Sequence, residues 1–207
     1  MPITIDPHNT PRAKAFELWM NSPMPMVTLT KTFNISHLMR LGKRNKLKLN
    51  MLLCYCIGKA ASQMEEFYLL PQKDKMLKYD TLAINVVVPN RQGGINSCDI
   101  HFTDDLQQFN HDYLALTKKS AETCESSFLE NDMVIGTSTM IATELDAIVN
   151  QYTDLFCNPM VMWGKCRKRF LKTVLPISFQ FHHVQMDGMD AARFLENLQR
   201  TMFSITI

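Results

Sequence analysis

The chain has no run of 18 apolar residues, so nothing in it reads as a membrane-spanning helix. Its N-terminus, MPITIDPHNTPR, lacks the basic-then-apolar pattern of a secretory signal. Neither a membrane partner nor export is expected, and the cytoplasm is the expected compartment. Strong charge of either sign is missing too. A net charge of +2 gives no reason to expect nucleic acid as a partner. Six cysteines (Cys54, Cys56, Cys98, Cys124, Cys157 and Cys166) show no Cys-x-x-Cys spacing, which predicts reduced thiols and no zinc site. His101 and His111 have no carboxylate or cysteine nearby at ligand spacing, so no metal is expected. A Gly-x-Ser-x-Gly elbow is absent, which argues against a serine nucleophile of the hydrolase type. No repeat, low-complexity tract or Pro/Gly/Ser-rich linker divides the 207 residues, and they read as one domain, 1–207, able to bury a sizeable core.

What is present is a sequence of strands interleaved with helices. Thr10-Pro11 reads as an N-cap and first helical position, opening a helix to about Met20. Met26 to Phe33 alternates as a strand, and Asn34 or Ser36 caps a helix through Leu41. The cluster Gly42 to Lys48 is basic, either a solvated helix end or a phosphate contact. Asn50 caps a helix from Met51 to about Met64 that is hydrophobic nearly all round until Lys59, the pattern of a central buried helix. Lys75–Tyr79 and Leu82–Val88 read as two strands joined at Asp80-Thr81. Ile95 to Phe102 reads as another, and a helix capped near Asp105 follows to about Thr123. Met133 to Ile141 is a strand pattern broken by Gly136. Fifteen methionines supply either core filler or a soft ligand pocket.

The most informative stretch is Leu175 to Phe194, LPISFQFHHVQMDGMDAARF. Ile177, Phe179 and Phe181 alternate with Ser178 and Gln180, a strand with one buried face. Continued, the alternation puts His183 on the apolar face and His182 with Gln180 on the other. An imidazole on an apolar face has its charged form disfavoured, which suits a neutral base. Asp187-Gly188 is a turn, and an amphipathic helix follows with Ala191, Phe194, Leu195, Leu198 and Met202 on one side.

At these residues the chain resembles the chloramphenicol acetyltransferase family. His183-Val-Gln-Met-Asp187-Gly188 fits its His-x-x-x-Asp-Gly signature, which the catalytic domains of dihydrolipoyl acyltransferases share. The doubled histidine and the flanking Pro176-Ile177-Ser178-Phe179-Gln180 and Arg193-Phe194-Leu195-Glu196 favour the chloramphenicol branch. Arg12-Ala-Lys-Ala-Phe16 matches the family's N-terminal Arg-x-x-x-Phe. The resemblance runs from Arg12 to about Gln199. It implies an α/β two-layer sandwich with a large mixed sheet, and a homotrimer with active sites at subunit interfaces. It also implies acetyl transfer from acetyl-CoA to chloramphenicol or a similar small hydroxyl-bearing acceptor. His183 would be the general base, Asp187 would support the turn, and Arg12 would pair with Asp187. Lys172 matches a family lysine near the coenzyme phosphates. The family's oxyanion-binding serine segment is missing. Thr143, Thr139 and Ser138 are the candidates for that bond, with Thr143 preferred. This departure keeps open a catalytically impaired relative that binds a small apolar ligand or partner.

Overall fold

The computed structural model describes residues 1–153 and 156–207. In chain order the elements are β1 (Ile3–Ile5), α1 (Ala13–Trp19), β2 (Met26–Asn34), α2 (Ser36–Asn45), α3 (Leu49–Ala61), β3 (Leu69–Gln72) and β4 (Lys75–Lys78). There follow β5 (Leu82–Pro89), β6 (Ile95–His101), α4 (Leu106–Thr123), β7 (Met133–Met140), β8 (Met160–Gly164), β9 (Arg167–Arg169), β10 (Lys172–His182) and α5 (Gly188–Ser204). The main sheet runs β2-β10-β8-β7-β5-β6, with β9 paired to β10. It is mixed: β7 is parallel to both β5 and β8, while β10 is antiparallel to β2 and β8. This is the mixed sheet packed with helices that the resemblance implies.

Helix α3 is the centre of the core. Its residues Met51 to Gly58 are all buried, as an all-round apolar helix must be. It starts at Leu49 with Lys48 at the N-cap, two residues before the expected cap at Asn50. It packs on α4 and α5, and the rings of Phe179 of β10 and Phe194 of α5 meet tilted, their centroids 4.6 Å apart. Cys54 and Cys56 sit inside α3, where burial pushes both thiols up and leaves them unreactive.

Strand β10 departs from the expected alternation. Ser178, Gln180 and His182 are as buried as Ile177, Phe179 and Phe181. The reason lies in the irregular segment after β7, which crosses the opposite face of the strand. The Ser178 hydroxyl accepts from Ile148 N at 2.9 Å, and Gln180 Nε2 donates to Asn150 O at 3.1 Å. Polar residues are therefore buried with hydrogen-bond partners, a pattern that looks solvent-facing in sequence.

The strands at Lys75 and Leu82 do not form a hairpin. β4 pairs with β1 and β3 in a separate three-stranded sheet, whereas β5 enters the main sheet. Strands as short as β1 and β3 are too brief for periodicity to show, and Pro71 disguises β3. Near the small sheet a second apolar cluster forms, with Phe16, Met76 and Val184 buried and Ile5, Leu69 and Met20 packed around them. That cluster joins α1 to the turn after β10.

Close packing around α3 makes a test. A Cβ at Gly58 would land inside the Phe102 ring, whereas one at Gly188 meets nothing within 4 Å. Gly58→Ala is expected to cost about 1–3 kcal/mol of unfolding free energy, and Gly188→Ala less than about 0.5, both read by urea denaturation.

Candidate active site

The turn that follows β10 is built from its backbone outward. Strand pairing ends with His182 opposite Met26, and His183 N donates to Pro25 O at 2.8 Å. Asp187 caps α5, accepting from Met189 N at 3.0 Å and Asp190 N at 3.3 Å, while Asp190 accepts in return from Asp187 N at 3.1 Å. This reciprocal cap fixes the entry of the helix. Arg12 closes the turn from the other end of the chain. Its Nη1 lies 3.4 Å from Asp187 Oδ2 and 3.9 Å from Asp190 Oδ2. Its Nε donates to Val184 O and its Nη2 to His183 O, each at 2.8 Å. Burial pushes the Asp187 carboxyl up, but the amides of Asp190 and Met189 and the Arg12 guanidinium outweigh it and hold the group below its ordinary value. The expected Arg12–Asp187 contact is present, and the two backbone carbonyls are partners that sequence reasoning missed. A carbonyl leaves no mark on residue type.

The two histidines differ from the expectation drawn from alternation. His183 is not on a strand face; it lies in the turn, partly buried. Its ring stacks flat on Trp19, with centroids 4.9 Å apart and planes within 3°. Its Nδ1 is buried with no hydrogen-bond partner among the described residues. His182 is the fully buried one. Its Nδ1 accepts from Val184 N at 3.1 Å, and burial, then the neighbouring His183, lowers it to about 4. Trp19 was also missed, because one aromatic on a short amphipathic helix reads as core.

At the far end of β10 a groove of about 910 Å³ opens at the carboxyl ends of the parallel strands β5, β7 and β8. Such crevices are where open α/β sheets bind ligands. Val86, Val88, Tyr113 and Trp163 give it an apolar wall, and the exposed Lys48, Lys118 and Lys165 stand on its rim. Trp163 Nε1 is buried there without a partner among the described residues. From the basic cluster at 42–48, only Lys48 reaches the groove. Lys172 is exposed on the β9–β10 hairpin and is not among the lining residues. Thr139 lines the groove; the exposed Thr143 is not among its lining residues, and its carbonyl accepts from the lining Lys165 N at 2.8 Å. Ser138 is not among the lining residues.

Within one chain these parts stay apart. Trp163 faces Ile177 in the register, and His183 lies six residues beyond, about 20 Å at strand rise. The chain therefore brings Arg12, Asp187 and His183 together, and leaves Thr143, Thr139 and the lysines at the other end. His101 instead pairs with the buried Asp132 at 3.0 Å, and no cluster of three metal-ligating side chains occurs among the described residues.

Comparison with known proteins gives the family of the whole chain. The family model described as chloramphenicol acetyltransferase matches residues 3–199. The chain belongs to the chloramphenicol acetyltransferase family. That is a family of acyltransferase enzymes. Chloramphenicol acetyltransferase 3 of Escherichia coli is 23% identical over 200 residues, covering 94% of this chain and 93% of that protein. The enzyme of Clostridium perfringens is 25% identical over 203 residues, covering 94% and 92%. A solved chloramphenicol acetyltransferase superposes with a TM-score of 0.82 at 17% identity, over 98% of this chain and 100% of that one. The cubic core of the pyruvate dehydrogenase multienzyme complex follows at 0.72 and 16%, over 91% and 84%.

Two stability measurements probe the turn. His182 has a folded-state value below its ordinary 6.5, so its neutral form carries the stability. That contribution is complete above pH 6.5, is lost as pH falls toward 4, and changes no further below. Between pH 7.5 and 5 the wild type is expected to lose about 2 kcal/mol through this group, and His182→Gln to flatten that part of the profile. Arg12→Ala, which strips two carbonyls and a carboxylate of their donor, is expected to cost about 3 kcal/mol, with Arg12→Lys recovering less than half. Urea titrations of the wild type and the three variants read both effects.

Proposed function

We propose that the protein transfers the acetyl group of acetyl-CoA to a hydroxyl of chloramphenicol or a similar small acceptor. The observation that carries this reading is the His183 turn, fixed by Arg12 and the Asp187 cap in a fold of this family. Because Nδ1 is buried, Nε2 is the ring nitrogen left to meet a substrate. It takes the acceptor's hydroxyl proton as the oxygen attacks the thioester carbonyl. When the carbon–sulfur bond breaks, the proton passes to the departing sulfur, so no acyl-enzyme is needed. Asp187 supports the turn and makes no bond to the ring.

The coenzyme's place on this reading is the groove. Its apolar wall suits the pantetheine arm, and Lys48, Lys118 and Lys165 suit the phosphates. Lys172, on the neighbouring hairpin, adds a cation to the same end. Thr139 and Thr143 are the hydroxyls available to the oxyanion, with Thr143 the family-based choice. Since His183 lies about 20 Å from this groove along its own strand, a second copy must supply one half of each site. A homotrimer with shared sites, each chain acting as a single domain, meets that need. Buried thiols at Cys54, Cys56 and Cys98 and the supply of acetyl-CoA favour the cytoplasm.

Turnover is measured with acetyl-CoA, chloramphenicol and a thiol reagent. Thiol release with the wild type and none with His183→Ala is expected. Release from His183→Ala at the wild-type rate would defeat the assignment. Thr117→Trp fills the groove and is expected to be inactive alone. Refolded together in equal amounts, the two inactive variants should recover about one quarter of the sites, the share that joins an intact histidine to an intact groove. The missing serine favours one other reading, a relative that binds ligand without turnover. Coenzyme binding with no thiol release would support it.

A further inference from the structure

We propose that Trp19 positions His183 and stabilises its protonated form, in place of a carboxylate; this rests on His183 being the base. The imidazole stacks flat on the indole at 4.9 Å, and no other ring pairs with it among the described residues. Its buried Nδ1 has no acceptor. The charged groups around the turn are all engaged elsewhere. Asp187 is held by two amides of α5 and by Arg12. Asp190 accepts from Asp187 N and Arg193, which also bonds Glu66. Arg12 spends its donors on the carbonyls of His183 and Val184. His182, adjacent in the chain, is buried and its charged form disfavoured. The surface against the imidazole ring is therefore an aromatic face.

That face has a chemical consequence. When His183 takes the acceptor's proton, an oxygen–carbon bond forms to the thioester and the ring becomes a cation. An indole face attracts a cation more strongly than a phenyl face does. The charge is relieved when the carbon–sulfur bond breaks and the proton moves to sulfur. Stabilisation thus falls on the charged stage and not on substrate binding, which places it in kcat. Helix α1 keeps the indole in place, because Phe16, one turn earlier, is anchored beside Met76 and Val184.

The test uses Trp19→Phe and Trp19→Leu in the full-length protein, with melting temperature checking the fold. For Trp19→Leu, kcat is expected to fall about tenfold with KM changed less than about twofold, and for Trp19→Phe the loss is smaller. The emission difference between wild type and Trp19→Phe isolates Trp19. Its intensity should drop in one step on acidification, and the step should vanish in His183→Gln. Unchanged kcat in a folded Trp19→Leu, or an identical emission step in His183→Gln, would overturn the proposal. Loss of the base reading shows separately, as turnover that survives in His183→Gln.

Discussion

Much of the candidate site depends on one guanidinium. Arg12 reaches 171 residues along the chain to hydrogen-bond the carbonyl of the histidine proposed as the base. It bonds the next carbonyl as well and faces the carboxylates of Asp187 and Asp190. Strand pairing stops at His182, so those two carbonyls have no ladder partner and need a donor from elsewhere. A planar fork with fixed donors supplies both at once, and the opposing carboxylates offset the cost of burying its charge. Through Arg12 the first helix is tied to the last turn, and Phe16 and Trp19 arrive with it.

The long strand β10 sets the second constraint. It joins a histidine turn at one end to a groove at the other and holds them about 20 Å apart. Both its faces are covered, one by α5, whose Phe194 packs on Phe179, and the other by the strap that bonds Ser178 and Gln180. On the proposed reading, so rigid a spacer leaves each chain with two half-sites. On that reading, assembly is a requirement of the chemistry and not an addition to it, because the base and the thioester cannot meet within one copy.

Legibility varied with the range of the interaction. Helix α4 and the strands β2, β5, β6 and β7 stand close to where periodicity and capping residues put them, since those signals act over a few residues. Helix α1 begins at Ala13, two residues after its expected start, although Thr10 Oγ1 accepts from Arg12 N as an N-cap at Thr10 would. Of the three-stranded sheet only β4 was legible; β1 and β3, three and four residues long, were not, and β1 joins it from the far N-terminus. The contact between Arg12 and Asp187 came from family resemblance and not from any local pattern.

Local geometry of the site follows from neighbouring residue types: a strand, a tight turn, an Asp cap and an amphipathic helix. Tertiary structure alone decided which histidine is buried and which stands in the turn, because a strap from distant residues covers the face that alternation marks as exposed. It also decided that Lys48, Lys118 and Lys165 line the groove, and that an indole lies against the imidazole. Such contacts join residues far apart in the chain, and their partners are often backbone atoms or ring faces. Neither has a residue-type signature that a single sequence displays.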